Sequence, residues 1–100
     1  MKKSFPLTST THKPERVVEA VKADIRKYLK RERRKPLPEE ADFWDFDCRA
    51  GKDETSAAAI HVSEITKPVD TAATNNWDAV YIEILAKPAK RTATERNRDL

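Results

Sequence analysis

The sequence predicts an α+β fold in which two helices lie on one face of a four-stranded antiparallel sheet. Three observations lead there. Pro14–Lys35 carries apolar residues at helical spacing; four other segments have the length and alternation of strands; and a short stretch near residue 70 has helix-start and helix-stop residues.

Lys3–Thr8 alternates, with Phe5 and Leu7 on one side, and Pro6 has no N–H for a ladder, so this strand belongs at an edge or pairs on one side there. After a Ser9–Lys13 loop, Val17, Val18, Val21, Ile25, Tyr28 and Leu29 fall within roughly 120° of a helical wheel, the arc of a helix packed on one side. Pro14 and Glu15 suit its first turn, with the cap expected in the region of Thr11, His12 and Lys13. Arg31, Arg33, Arg34 and Lys35 suit its negative end, and Pro36 and Pro38 stop it. Glu32 falls inside the apolar arc, so the packed part is expected to finish near Lys30 or Arg31.

Pro36–Ala41 is a connector. Asp42–Arg49 reads as a strand with Trp44, Phe46 and Cys48 on one face and Asp45, Asp47 and Arg49 on the other. Ala50–Thr55, which holds the single glycine, is a turn, and Ser56–Glu64 the returning strand. Matching their faces pairs Trp44 with Val62, Phe46 with Ile60 and Cys48 with Ala58, and sets Asp45 opposite His61. Thr66–Asn76 is a short second helix. Ala79–Ala86 is the strongest strand, with Val80, Ile82 and Ile84 inward and Tyr81, Glu83 and Leu85 outward. A single domain over residues 1–87 and a charged, disordered tail over 88–100 complete the organisation. The βαββαβ order is that of ferredoxin-like folds. Pro6 conflicts with the central first strand of that arrangement, and the alternative is a variant with the last strand central and a marginal first strand.

One hundred residues, 37% of them charged and 38% hydrophobic, suit one soluble domain with one modest core. No apolar run reaches the length of a membrane span, and Met1-Lys-Lys-Ser is not followed by a signal-peptide segment, so the expected location is the cytoplasm. One cysteine, Cys48, fits a reducing compartment. The net charge of +3 conceals three unlike blocks: residues 1–36 hold 12 basic and 4 acidic side chains, residues 37–86 hold 3 and 11, and residues 87–100 hold 5 and 2. Such asymmetry suits a basic helix that attracts a polyanion, or two halves that neutralise each other within the fold or between copies.

Met1-Lys-Lys-Ser-Phe-Pro-Leu-Thr, Lys30-Arg-Glu-Arg-Arg-Lys-Pro-Leu-Pro, Asp42-Phe-Trp-Asp-Phe-Asp-Cys-Arg and Val80-Tyr-Ile-Glu-Ile-Leu-Ala-Lys-Pro together resemble a family of small bacterial proteins known only as a domain of unknown function. The resemblance runs to about Arg91. It implies a bacterial cytosolic protein and brings no activity, ligand or residue role.

The candidate binding residues are Lys22, Arg26, Lys27, Lys30, Arg33 and Arg34, with Lys22, Arg26, Lys30 and Arg33 read as a stripe opposite the apolar arc. Seven of the ten residues from Arg26 to Lys35 are basic, a density that suits contact with RNA phosphates. The competing reading is a solvated helix face that complements the helix dipole. Asp45, Asp47, Arg49, His61 and Glu83 are expected to share the outer sheet face, where cross-strand charge pairing accounts for them without catalysis or a metal. Cys48 is expected to be a buried apolar group, and Trp44 and Trp77 core and core-edge residues. With no phosphate-binding glycine loop, paired-cysteine motif or nucleophile elbow, the expectation is a non-enzymatic binding protein without cofactor. Its partner would be RNA or a ribonucleoprotein, or alternatively a protein or a second copy, the basic helix meeting acidic Asp45, Asp47 and Glu83.

Overall fold

The computed structural model describes residues 1–9 and 11–90. Its elements are β1 (Lys2–Pro6), α1 (Pro14–Arg33), β2 (Phe43–Gly51), β3 (Ala58–Ile60), a 3-10 turn (Val62–Glu64), α2 (Lys67–Thr74) and β4 (Ala79–Ala89). The sheet is antiparallel throughout, in the order β1-β4-β2-β3. The last strand is therefore central and the first lies at an edge, as in the variant rather than the ferredoxin-like order. Pro6 supplies a reason. Leu7 N donates to Asp78 O, so alternation turns the N–H groups of Lys3 and Phe5 toward β4 and the donorless Pro6 nitrogen toward the open edge.

One buried cluster joins Phe5 of β1, Val21, Ile25 and Leu29 of α1, Phe46, Cys48 and Ala50 of β2, Val69 and Ala72 of α2, and Val80, Ile82 and Ile84 of β4. Every strand residue in that set lies on one face, because Phe5 pairs with Val80, Cys48 with Ile84 and Ala50 with Ile82. The α1 packing does not finish at Lys30 or Arg31. Glu32 is buried too, its Oε2 2.5 Å from Lys35 Nζ, so a neutralised carboxylate continues the packed arc by one turn. The N-cap of α1 is Lys13, at the last position of the expected Thr11–Lys13 region, and Ser9 Oγ accepts from the N–H groups of Thr11 and His12 just before it.

The β2–β3 hairpin departs from expectation in register. Cys48 pairs with Ile60 and Ala50 with Ala58, two residues from the predicted alignment, so the faces are kept and the partners change. The shift goes with the position of the loop, which covers residues 52–57 instead of the expected Ala50–Thr55. Asp53 and Ser56 close it reciprocally, Ser56 N donating to Asp53 Oδ1 (2.8 Å) and Asp53 N to Ser56 Oγ (3.2 Å). Gly51 admits it, since a Cβ there would stand 2.8 Å from Ala57 Cα. The returning strand stops at Ile60, because His61 Nδ1 accepts from Ser63 N and caps the 3-10 turn instead of continuing the ladder. β4 in turn runs past the predicted boundary at residue 87, Trp44 pairing with Pro88 and Phe43 with Ala89. Most of the predicted tail, from residue 91, lies outside the described residues.

Candidate functional site

The C-terminal half of α1 divides its cations into two sets. Arg26, Lys27, Lys30 and Arg34 are exposed, and among the described residues none of them forms an ion pair. Lys22 and Arg33 belong elsewhere. The Lys22 side chain is only 14% exposed, with Nζ 2.7 Å from Asp70 of α2 and 3.9 Å from Glu19. The guanidinium of Arg33 stands 5.3 Å from the centre of the Phe46 ring. Helix periodicity explains the division: at 3.6 residues per turn Lys22 lies about 20° and Arg33 about 40° from Leu29. Both border the apolar arc rather than oppose it, and the solvent face is centred on Lys30 and Arg34. Arg31 adds a further cation, 5.4 Å from the centre of the Tyr28 ring, where its stem is ordered and its charge kept.

Several acids of the sheet are engaged within the fold. Asp47 accepts from Lys87 Nζ (2.8 Å), which raises the pKa of that lysine. Asp45 accepts from the N–H of Phe46 (2.8 Å). Tyr81 and Glu83, expected on an open face, are buried. The Tyr81 hydroxyl donates to Glu83 Oε1 (2.9 Å), Arg49 Nη1 lies 3.6 Å from that oxygen, and Arg49 Nη2 donates to Ala57 O (3.0 Å). Arg49 thus ties the hairpin loop to the buried carboxylate. Burial, reinforced by Glu83, raises the Tyr81 pKa. His61 is not part of this group, because its strand ends before it. Cys48 is buried as expected, its thiol pushed up by desolvation and by Asp47 and Asp45. Among the described residues no three His, Cys, Asp or Glu side chains come together to hold a metal ion.

At the end of α1 lies a feature that wheel and alternation do not show. Tyr28, Glu32, Lys35, Trp44, Leu85 and Ala86 line a pocket of about 280 Å³ beside the start of β1, where β4 runs on past its pairing with that strand. Met1 closes its rim, the terminal amino group donating to Tyr28 Oη (3.1 Å) and Ile84 O (2.6 Å). Lys35, then burial and Tyr28, act on the Glu32 carboxyl, and the net effect holds its pKa below the usual range. Tyr28 is raised by burial and by its bond to Glu32. The Trp44 indole donates to Lys35 O (2.8 Å), which fixes the ring against the helix end. The signal for this pocket was local: Tyr28, Glu32 and Lys35 are spaced four and three apart on one helix face.

A family of unknown function has a model that matches residues 1–96. The chain belongs to that family, DUF6172. The match extends beyond the resemblance read from the sequence, past Arg91, and takes in all seven elements of the fold. Searches of curated proteins and of solved structures gave no significant match. No helix among the described residues is long and apolar enough to cross a membrane.

Proposed function

We propose that this family member is a small non-enzymatic binding protein of the bacterial cytoplasm that associates with RNA, free or within a ribonucleoprotein, through the C-terminal half of α1. One observation carries the reading: Arg26, Lys27, Lys30 and Arg34 are exposed without ion pairs, while the acids Glu32, Asp47, Asp70 and Glu83 each meet a cation of their own. Such cations neutralise phosphates and release condensed counterions, giving affinity and position rather than base specificity. From Arg26 to Arg34 they extend over about 12 Å of helix. The alternative, a basic helix of one copy on the acidic sheet of another, is less favoured because those acids would have to leave their present partners.

The test is fluorescence anisotropy of a labelled, mixed-sequence single-stranded RNA titrated with nuclease-treated protein. Binding that persists at near-physiological salt is expected. Binding confined to low salt is what any basic patch produces, and would remove this function.

A further inference from the structure

We infer that the pocket at the end of α1 receives a single unstacked nucleobase, and that its chemistry selects guanine; this rests on the RNA reading above. The pocket, at about 280 Å³, is at the small end for ligand sites, suited to one heterocycle. It lies at the end of the same helix as the basic face, and the guanidinium of Arg31 stands 5.4 Å from the centre of the Tyr28 ring that forms one of its walls. Its walls are aromatic and aliphatic: Tyr28, Trp44, and Leu85, an exposed large apolar residue of β4. Half-buried aromatics beside a cationic groove form the arrangement on which single-stranded bases stack. The bond from the Trp44 indole to Lys35 O holds that ring in place before any ligand arrives.

Selection comes from the Glu32–Lys35 pair. The Glu32 side chain is 10% exposed, and its pKa is lowered, so it is an ionised acceptor within the pocket. A carboxylate has about four acceptor positions. Tyr28 and Lys35 engage Glu32 and leave acceptor capacity free. Guanine presents N1–H and N2–H side by side as two donors to one carboxylate, with O6 next to them as an acceptor for the Lys35 ammonium group. Adenine and cytosine set a ring acceptor beside their amino group, and uracil flanks its one N–H with two carbonyl oxygens. A carboxylate repels each of those acceptors.

The experiment has two arms. In the first, GMP and UMP are titrated into labelled protein while the Trp44 indole N–H signal is followed by NMR, with Trp44→Phe identifying the signal against Trp77. GMP is expected to shift it, UMP to leave it, and Glu32→Gln, which keeps the shape and loses the charge, to abolish the GMP shift. In the second, anisotropy compares a uridine-only strand with one containing isolated guanines; roughly tenfold tighter binding of the latter is expected, as for a bidentate base contact, and Glu32→Gln should bring the ratio close to one. No response to GMP, or equal responses to GMP and UMP, overturns the pocket. Strand binding indifferent to guanine removes the pocket and leaves the basic face standing. A GMP response that needs Glu32, in a protein that binds neither strand, supports the pocket and removes the basic face.

Discussion

Replacing Arg26 and Lys30 together by glutamine should change how binding responds to salt by an amount the structure sets. The four cations assigned to the site, Arg26, Lys27, Lys30 and Arg34, are exposed, and among the described residues none of them forms an ion pair. At ~0.7 per neutralised phosphate for a single strand, they give a log–log salt slope near −2.8, so a fourfold rise in salt weakens binding about 50-fold. With two of them neutral the slope becomes about −1.4, and the same rise costs only about sevenfold. Lys22→Gln is the internal control. Its ammonium group is committed to Asp70, so the slope should stay at its wild-type value while stability falls by about 1 kcal/mol or less, as for a partly exposed ion pair. Anisotropy titrations between about 50 and about 200 mM salt measure both slopes. An unchanged slope in the double variant, or an equal loss from Lys22→Gln, would refute the assignment of the face.

Gly51→Val should destabilise the hairpin by about 1–3 kcal/mol, because the new Cβ meets the backbone of Ala57 rather than a movable side chain; an unaltered urea midpoint would contradict that contact. Ile25→Ala, at a fully buried position facing the sheet, should cost about 2–5 kcal/mol, whereas Leu85→Ala, at 43% exposure, should stay within about 0.5 kcal/mol; equal losses in urea denaturation would count against this core. Glu32 has a lowered folded pKa, so its contribution is fully present above its unfolded value of about 4.3 and disappears as pH falls through the folded one. Unfolding midpoints at neutral and acidic pH should accordingly differ less in Glu32→Gln than in the parent; identical differences would dispose of the link. Tyr81 is shifted the other way, so its contribution is present below about pH 10 and lost as pH rises through the raised folded value. Tyr81→Phe should flatten that alkaline loss, and an unaltered alkaline transition would place its cause elsewhere.

The helix α1 was legible because its signals agree: Pro14 opens it, six apolar residues keep one arc, and Pro36 follows its end. The faces of β2 and β4 were equally legible, since side chains alternate whatever the register. The hairpin register was not, because it depends on how the loop closes. Asp53, Ser56 and the approach of Ala57 to Gly51 close the loop over residues 52–57, where composition suggested a turn over Ala50–Thr55. His61 left the sheet for the same kind of reason: a local bond to Ser63 N competes with the ladder and prevails once β3 has run out of partners. For the cations, the sequence showed density on α1 but not commitment. Lys22 is neutralised by an acid 48 positions away in the chain, on a helix whose packing against α1 no local pattern encodes.

The sequence by itself therefore determined the elements, their inward faces and the uneven distribution of charge, because these follow from spacing and composition within short windows. Only the tertiary structure decided the strand order, the burial of Tyr81 and Glu83, and the assembly of Tyr28, Glu32, Lys35 and Trp44 into one pocket. Each of these joins segments far apart in the chain, and the free energy that selects them comes from packing and desolvation, which depend on what lies opposite each residue rather than beside it.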